Sequence, residues 1–238
     1  MQVEVVPDER WPRTVAARWA EFLRAQPTLR QCLPTGNTPA PVYAELVAAT
    51  ARGEVGFARC EVFLLDEFGG LPRGHPARCD TALRRMLIDH VDLPEERFHR
   101  LDPDAADLDA ECRRFAGEVA DGGLDLVVLG LGANGHVGLN EPGSGRDAPT
   151  RRVELHPTTA DGAAAYGATD ITPTWGLTLG LDAILAAREV WLLVTGAAKA
   201  DVLARALSGP IGPELPASLL REHPSARVLV DDAAAERL

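Results

Sequence analysis

Residues 124–129 read Leu-Asp-Leu-Val-Val-Leu, and residues 190–194 read Val-Trp-Leu-Leu-Val. Neither run alternates apolar with polar residues as a half-exposed strand would. Apolar runs of this length are typical of parallel strands that are buried on both faces of a sheet. The two runs therefore predict the central strands of a parallel sheet that is covered by helices on both sides.

Short β-rich runs and longer stretches of helical periodicity alternate along the rest of the chain, which is the pattern of an α/β fold. The sequence predicts a three-layer sandwich, in which a doubly wound, mainly parallel sheet carries helices on both faces. Because no linker rich in Ser, Gly or charge interrupts the chain, residues 1–238 are expected to form one domain. The further strands are predicted at 3–6, 29–33, 61–65, 98–100 and 227–230, and the helices at 13–25, 39–51, 77–89, 108–120, 177–186 and 198–207.

The composition limits the classes of partner. The chain has 238 residues, of which 46% are hydrophobic, and its formal net charge is -11. Such a chain is not a general nucleic-acid binder, since that function needs clustered Lys and Arg. The four cysteines form no CxxC pair and give no indication of a zinc ribbon or a redox dithiol. The N-terminus is acidic where a signal peptide is basic, and no apolar run approaches a membrane span, so we expect a cytoplasmic protein with a small-molecule partner.

Ligands of doubly wound sheets bind at the carboxyl ends of the strands, so residues that follow strands are the candidates for chemistry. Residues 34–39, Pro-Thr-Gly-Asn-Thr-Pro, follow one predicted strand and precede a helix. The N–H groups and partial positive charge of a helix N-terminus favour an anion. The segment lacks the fingerprints of dinucleotide sites and nucleotide P-loops, so a monophosphate ester fits better. The alternative is an ordinary turn in which Thr38 caps the helix.

A pair of acids, Asp66 and Glu67, follows the next strand. Burial at a strand end raises the pKa of a carboxyl group toward the range of a general base, which makes Asp66 a candidate for that role. The alternative is that both acids cap the following loop.

A long Gly-rich loop over residues 130–144 follows the most apolar strand and contains His136 and Glu141. His136 is a candidate proton shuttle, and Glu141 a candidate to orient and charge-tune it. A histidine alone is more often a packed, hydrogen-bonded residue. Three such segments at three strand ends favour the functional interpretation.

These segments resemble the glucosamine-6-phosphate deaminases, a family that is similar to the 6-phosphogluconolactonases. The resemblance covers essentially the whole chain and rests on residues 35–39, 65–76, 129–144, 177–185, 192–200 and 216–224. The element Asn140-Glu141-Pro142 is specific to the deaminases, whereas the lactonases continue differently after the Gly-His pair.

The resemblance implies that Asp66 takes a proton from carbon 2 of the sugar and returns it to carbon 1 through an enol-type intermediate. It implies that His136 assists pyranose ring opening while Glu141 holds it, with Asn134 as a further catalytic position. The implied net reaction converts glucosamine 6-phosphate to fructose 6-phosphate and ammonia without a metal or organic cofactor. The implied substrate- and phosphate-binding positions are Thr35, Gly36, Asn37, Thr38, Glu67, Gly135 and Lys199.

The chain departs from the family at Asn134, where many members have Asp. An amide accepts a hydrogen bond but carries no charge, so it stabilises a His136 imidazolium less than a carboxylate does. We expect this change alone not to abolish activity.

A second departure lies in residues 158–167, which lack an arginine that clasps the substrate phosphate in family members. Such a contact is worth about 1.5–3 kcal/mol. The phosphate is then held more weakly, is held by Arg146, Arg151 or Arg152, or is absent from the true substrate.

The sequence leaves three other functions open: an isomerase or deaminase for a different amino sugar, a lactone hydrolase of the 6-phosphogluconolactonase type, and a sugar-phosphate-binding protein without catalysis. The Asn140-Glu141-Pro142 element argues against the lactonase, and the presence of Asp66, His136 and Glu141 together argues against the binding protein. The sequence does not distinguish a monomer from a homo-oligomer.

Overall fold

The computed structural model describes residues 1–163 and 170–238. In these two ranges the strands and α-helices alternate along most of the chain. The strands are β1 Gln2–Val6, β2 Arg30–Leu33, β3 Glu61–Leu64, β4 Asp66–Phe68, β5 Phe98–His99, β6 Leu126–Gly130, β7 Arg151–Glu154, β8 Trp175–Thr178, β9 Glu189–Val194 and β10 Ala226–Asp231. The helices are α1 Trp11–Ala25, α2 Ala40–Ala51, α3 Cys79–Met86, α4 Leu108–Ala120, α5 Pro157–Gly162, α6 Leu181–Leu185 and α7 Ala200–Ser208.

The main sheet has the strand order β1-β10-β9-β6-β2-β3-β5, and its neighbouring strands pair in parallel. Strands β6 and β9 lie in its interior, as their apolar sequences predict. Side chains of β6 point alternately to two separate cores: Leu126 and Val128 to one, Val127 and Leu129 to the other. All four are fully buried, which is why the run needs no polar residue on either face.

Helices cover both faces of the main sheet. Buried residues of α1, α2 and α3 belong to the core on one face, and those of α4, α6 and α7 to the core on the other. The predicted three-layer, mainly parallel α/β fold is therefore confirmed. No helix within residues 1–163 and 170–238 combines the length and the apolar character needed to cross a membrane.

A second, smaller sheet escaped the sequence analysis. Strands β4, β8 and β7 form an antiparallel sheet, in which Leu177 lies opposite both Glu67 and Arg152. The prediction of a helix over residues 177–186 is wrong in its first part, because Leu177 and Thr178 belong to β8 and α6 begins only at Leu181. Gly180 separates the two elements, and a Cβ there would lie 2.3 Å from the carbonyl oxygen of Ala148.

The core between α1 and the sheet is organised around Trp19. This side chain is fully buried, and its indole N–H donates a 2.7 Å hydrogen bond to the Oε1 atom of Gln31 on β2. Its ring meets Trp191 of β9 edge to face at 6.1 Å. Trp19 thus ties α1 to two strands of the sheet at once.

We predict that Trp19→Ala lowers the free energy of unfolding by about 3–5 kcal/mol, since it leaves a large cavity and removes the partner of a buried amide. Urea unfolding followed by circular dichroism measures the change. Glu21→Ala on the exposed side of α1 is the matched control, with an expected change within about 0.5 kcal/mol. Equal effects of the two substitutions would show that Trp19 does not anchor this core.

Candidate functional site

A cavity of about 420 Å³ opens where β2, β6 and β9 end. Because these strands are parallel neighbours, the turns that follow them face one another, and the cavity falls in the range of about 300–1,000 Å³ typical of small-molecule sites. Helix α5 contributes Thr158, Thr159 and Gly162 to its wall. The predicted site residues that line it are Thr35, Gly36, Asn37, Thr38, Asp66, His136 and Lys199.

The turn over residues 34–39, between β2 and α2, does not cap the helix in the way that the sequence suggested. Helix α2 begins at Ala40, and Pro39 stands in the N-cap position without a side-chain hydrogen bond, so the prediction of Thr38 as the cap is wrong. The Thr38 hydroxyl instead lies 3.1 Å from the hydroxyl of Thr195, which follows β9, so the two side chains meet beyond the end of β6. Gly36, with φ of 122°, gives the turn a backbone conformation that other residues rarely adopt.

Thr195 and Lys199 belong to a second turn of the same design, which follows β9 and precedes α7. Both turns place a Thr-Gly pair with a positive φ glycine after a strand, and both line the cavity. Sequence reasoning did not single out Thr195, although the repeat of Thr-Gly after a predicted strand was the available signal.

Lys199 is the only lysine in the sequence, and among the described residues that line the cavity it is the only Lys or Arg. Burial lowers the pKa of its ammonium group. The hypothesis that an arginine at position 146, 151 or 152 supplies a further cation to the cavity is wrong for the described structure. Arg146 pairs with Glu222, Arg152 with Glu154, and the guanidinium of Arg151 donates to Asn140 and Ser144.

Part of the segment in which the resemblance led us to expect a phosphate-binding arginine, residues 164–169, lies outside the described residues. What is described of it begins with α5, whose residues Thr158, Thr159 and Gly162 bring hydroxyl groups and backbone, but no cation, to the cavity.

Asp66 begins β4 and projects its carboxylate into the cavity wall with only 8% of the residue exposed. Burial raises the pKa of this carboxyl group from its ordinary value of 3.8 to about 6, against smaller opposing contributions from the Cys79 thiol and the charge of His136. A carboxylate with a pKa near 6 is ionised at neutral pH and still basic enough to accept a proton from carbon.

Glu67 has a different environment and does not line the cavity. Its fully buried carboxylate accepts hydrogen bonds from the backbone N–H groups of Phe68, Cys79 and Asp80, at 2.8, 2.8 and 2.9 Å. Burial raises its pKa to about 8, against these donors and nearby Arg78. Glu67 is therefore a capping residue, as the alternative interpretation of the acid pair proposed. Its hydrogen bonds fix the start of α3, and this places Cys79 beside Asp66.

The Nδ1 side of His136 faces Glu141 of the same loop, and Asn134 binds Glu141 in turn. Glu141 Oε2 lies 3.4 Å from Nδ1 of His136, and the Asn134 amide donates a 2.8 Å hydrogen bond to the same oxygen. Although burial alone would raise the pKa of Glu141, the hydrogen bond and charge of His136, followed by hydrogen bonds from Thr159 and Asn134, lower it to about 2. Glu141 is therefore ionised at neutral pH, and its oxygen faces Nδ1 of the imidazole.

The imidazole ring rests on the loop backbone at Gly132. A Cβ at this position would lie 2.4 Å from Cε1 of His136, so only glycine leaves room for the ring. Gly135, which we predicted to bind substrate, instead packs against Leu215, where a Cβ would lie 2.1 Å from Cδ1, and it does not line the cavity.

The cysteines of the described residues, Cys32, Cys60, Cys79 and Cys112, are buried and free. Over the same part of the chain no group of three or more His, Cys, Asp or Glu side chains is arranged to hold a metal ion. That the chemistry needs neither a metal nor an organic cofactor stays a prediction.

The fold and this cavity place the chain in a known class. The model of the family of glucosamine-6-phosphate isomerases and 6-phosphogluconolactonases matches residues 9–230, so the chain belongs to this family. It is similar to the glucosamine-6-phosphate deaminase of Rhodopirellula baltica, with 38% identity over 100% of this chain and 96% of that protein. It is also similar to the deaminase of Pseudarthrobacter chlorophenolicus, with 41% identity over 92% of this chain and 85% of the relative.

Solved structures give the same result. A monomeric glucosamine-6-phosphate deaminase matches the chain with a TM-score of 0.96 and 32% identity, over 100% of both chains. The 6-phosphogluconolactonase of Thermotoga maritima matches with a TM-score of 0.78 over 97% of this chain and 99% of its own, but at 20% identity, which is a likeness of fold alone.

We predict that Asp66→Asn stabilises the protein at pH 8 by up to about 3 kcal/mol, which is the cost of holding a carboxylate whose pKa is raised from 3.8 to about 6. Because its pKa is raised, the Asp66 carboxylate lowers the free energy of unfolding by the full amount above pH 6. This loss of stability declines as the pH falls toward 3.8. The stability difference from the wild type should therefore shrink between pH 6 and about pH 4. Urea unfolding across this range tests it, with the exposed Asp232→Asn as control; a difference that does not vary with pH would contradict the assignment.

Proposed function

We propose that this protein is a glucosamine-6-phosphate deaminase, which converts glucosamine 6-phosphate and water to fructose 6-phosphate and ammonia. One observation carries the proposal: Asp66, His136 and two anion-favouring turns line the same cavity. The full-length similarity to deaminases of this name supports it. We also infer that residues 1–238 act as one domain and that the enzyme is cytoplasmic.

The phosphate group is bound at the two Thr-Gly turns. The turns that precede α2 and α7 line the cavity, where the partial positive charge of a helix N-terminus favours an anion, and the hydroxyls of Thr35, Thr38 and Thr195 add donors. Lys199 supplies the positive charge. With the phosphate held there, the opposite end of a hexose reaches toward Asp66 and His136.

Ring opening comes first. His136 takes the proton of the anomeric hydroxyl and delivers it to the ring oxygen, so that the bond between carbon 1 and the ring oxygen breaks and the aldehyde forms. Glu141 and Asn134 do not line the cavity, and their role is to orient the imidazole and stabilise its charged form.

The Asp66 carboxylate then removes the proton from carbon 2. The electron pair of the C–H bond forms a double bond between carbons 1 and 2, while the carbonyl pair moves onto oxygen 1, which takes a proton from the substrate ammonium group to give an enolamine. The Asp66 carboxyl group returns its proton to carbon 1, and the nitrogen lone pair forms the protonated imine at carbon 2. One base suffices for both steps because the two carbons are adjacent.

Water adds to the imine at carbon 2, and ammonia leaves as the ketone forms. This last step makes the net reaction hydrolytic as well as an isomerisation. Every step is a proton transfer or an addition of water, so we propose that the enzyme works without a cofactor. The pairing of Glu141 with His136 supports this reaction over lactone hydrolysis, because Glu141 belongs to the deaminase-specific Asn140-Glu141-Pro142 element.

Loss of the base should abolish carbon chemistry without abolishing binding. We predict that Asp66→Asn lowers the turnover number by at least about a hundredfold. Exchange of the carbon 2 proton with solvent, followed by proton NMR in deuterated water, should disappear with it. In the wild type, kcat/KM should fall about tenfold per pH unit below about pH 6, as the carboxylate becomes protonated. Persistent exchange in the variant would remove Asp66 from the role of base.

The role of Lys199 is tested by comparing phosphorylated with unphosphorylated sugars. We predict that Lys199→Ala raises the KM for glucosamine 6-phosphate about 10- to 100-fold, the cost of one charge-assisted contact, and changes turnover of glucosamine far less. Arg205→Ala, which removes a charge from the exposed side of the same helix, is the control and should leave both KM values unchanged. An equal effect of Lys199→Ala on both sugars would show that Lys199 does not bind phosphate.

A further inference from the structure

Helix α5 meets the imidazole of His136 through Thr159, a residue that the sequence analysis did not select. Thr159 is 8% exposed, although α5 lies at the surface and its neighbours at positions 158 and 161 are exposed. Its hydroxyl oxygen lies 3.1 Å from Nδ1 of His136. A buried threonine on a short surface helix, aimed at a catalytic ring, requires an explanation beyond packing.

The hydroxyl of Thr159 also lies near Glu141, where it favours the ionised form of the carboxyl group and so lowers its pKa. The helix is fixed to the same carboxylate at its start, where the backbone N–H of His156 donates a 3.2 Å hydrogen bond to Oε1 of Glu141. Thus α5 is joined to both partners of the imidazole–carboxylate pair.

The directions of these hydrogen bonds follow from the charge of Glu141. An ionised carboxylate only accepts, and Oε2 of Glu141 lies 3.4 Å from Nδ1 of His136, so Nδ1 is the ring nitrogen that carries a proton. The hydroxyl oxygen of Thr159, 3.1 Å from the same nitrogen, then accepts a hydrogen bond from Nδ1–H. This pattern is satisfied when Nδ1 carries a proton, both in the neutral ring and in the imidazolium, and it leaves Nε2 as the nitrogen that gains and loses one.

We propose that Thr159 is a positioning residue for the reaction, whose hydroxyl holds His136 in the Nδ1-protonated tautomer so that Nε2 exchanges the proton with the sugar ring. This inference rests on the proposed function, in which His136 opens the ring. Glu141 alone would hold the ring poorly, because its 3.4 Å separation from Nδ1 is longer than the usual 2.7–3.2 Å of a good N–H···O hydrogen bond. Thr159 provides the shorter contact.

The test compares three variants of the full-length protein. Thr159→Val removes the hydroxyl and keeps the shape, and Thr159→Ser keeps the hydroxyl. Thr50→Val is the control, since Thr50 is a half-buried threonine on α2 whose hydroxyl makes one hydrogen bond, 3.0 Å to the carbonyl of Leu46. Ammonia release from glucosamine 6-phosphate gives kcat and KM. Nitrogen-15 NMR of the histidine rings, with His136 assigned by the signal lost in His136→Gln, gives the tautomer.

Thr159→Val is expected to lower kcat about tenfold, the equivalent of about 1.4 kcal/mol in the barrier, and to change KM less than about threefold. The Nε2-protonated tautomer of His136 should become populated in the same variant. Thr159→Ser and Thr50→Val should keep both the rate and the tautomer of the wild type.

The proposal is overturned if Thr159→Val retains the kcat and His136 nitrogen signals of the wild type. It is equally overturned if Thr159→Ser is as impaired as Thr159→Val, because the methyl group would then be what matters. A wild-type protein that releases no ammonia would instead refute the proposed function, and the NMR comparison of Thr159→Val with Thr50→Val would still decide whether the hydroxyl sets the tautomer.

Discussion

The parallel pairing of β6 with β2 on one side and β9 on the other is the constraint on which the rest of the molecule depends. It requires a strand that is apolar on both faces, and it places three strand ends side by side. The two Thr-Gly turns and the histidine loop follow these ends, so groups that are far apart in the chain share one cavity. The helices matter to the site mainly because they bury the strands and begin where the turns end.

Two carboxylates in this site have opposite acid–base properties because their surroundings differ. Glu141 is surrounded by donors from His136, Thr159 and Asn134, which keep it charged. Asp66 is buried among fewer compensating groups, which makes its charge costly and its carboxylate basic. Acid–base roles in enzymes are commonly separated in this way. The same comparison shows why Asn134 serves here: an amide N–H donates to the Glu141 oxygen, which a second carboxylate could not do without a proton.

Local sequence pattern was sufficient for the seven strands of the main sheet and for the three segments that line the cavity, because burial on two faces and position after a strand both leave a signature in sequence. Pattern failed where long-range contacts decide the structure. Leu177 has a helical context but pairs across the chain with Glu67, and the Thr38 hydroxyl turns from its own helix to Thr195. Thr159 could not be found by pattern, since its importance comes from a contact with a ring 23 residues away.

The two Thr-Gly turns and Lys199 line the same cavity, which has a consequence for how substrate arrives. The chain as a whole carries a net charge of -11, so a phosphorylated sugar approaching from solvent meets a repulsive field. Salt screens that field over about 10 Å, whereas the attraction of the two turns acts only within the cavity. Electrostatics therefore does not concentrate anions around the protein. It favours only those anions that are small enough to reach the turns, and larger polyanions are repelled at the surface.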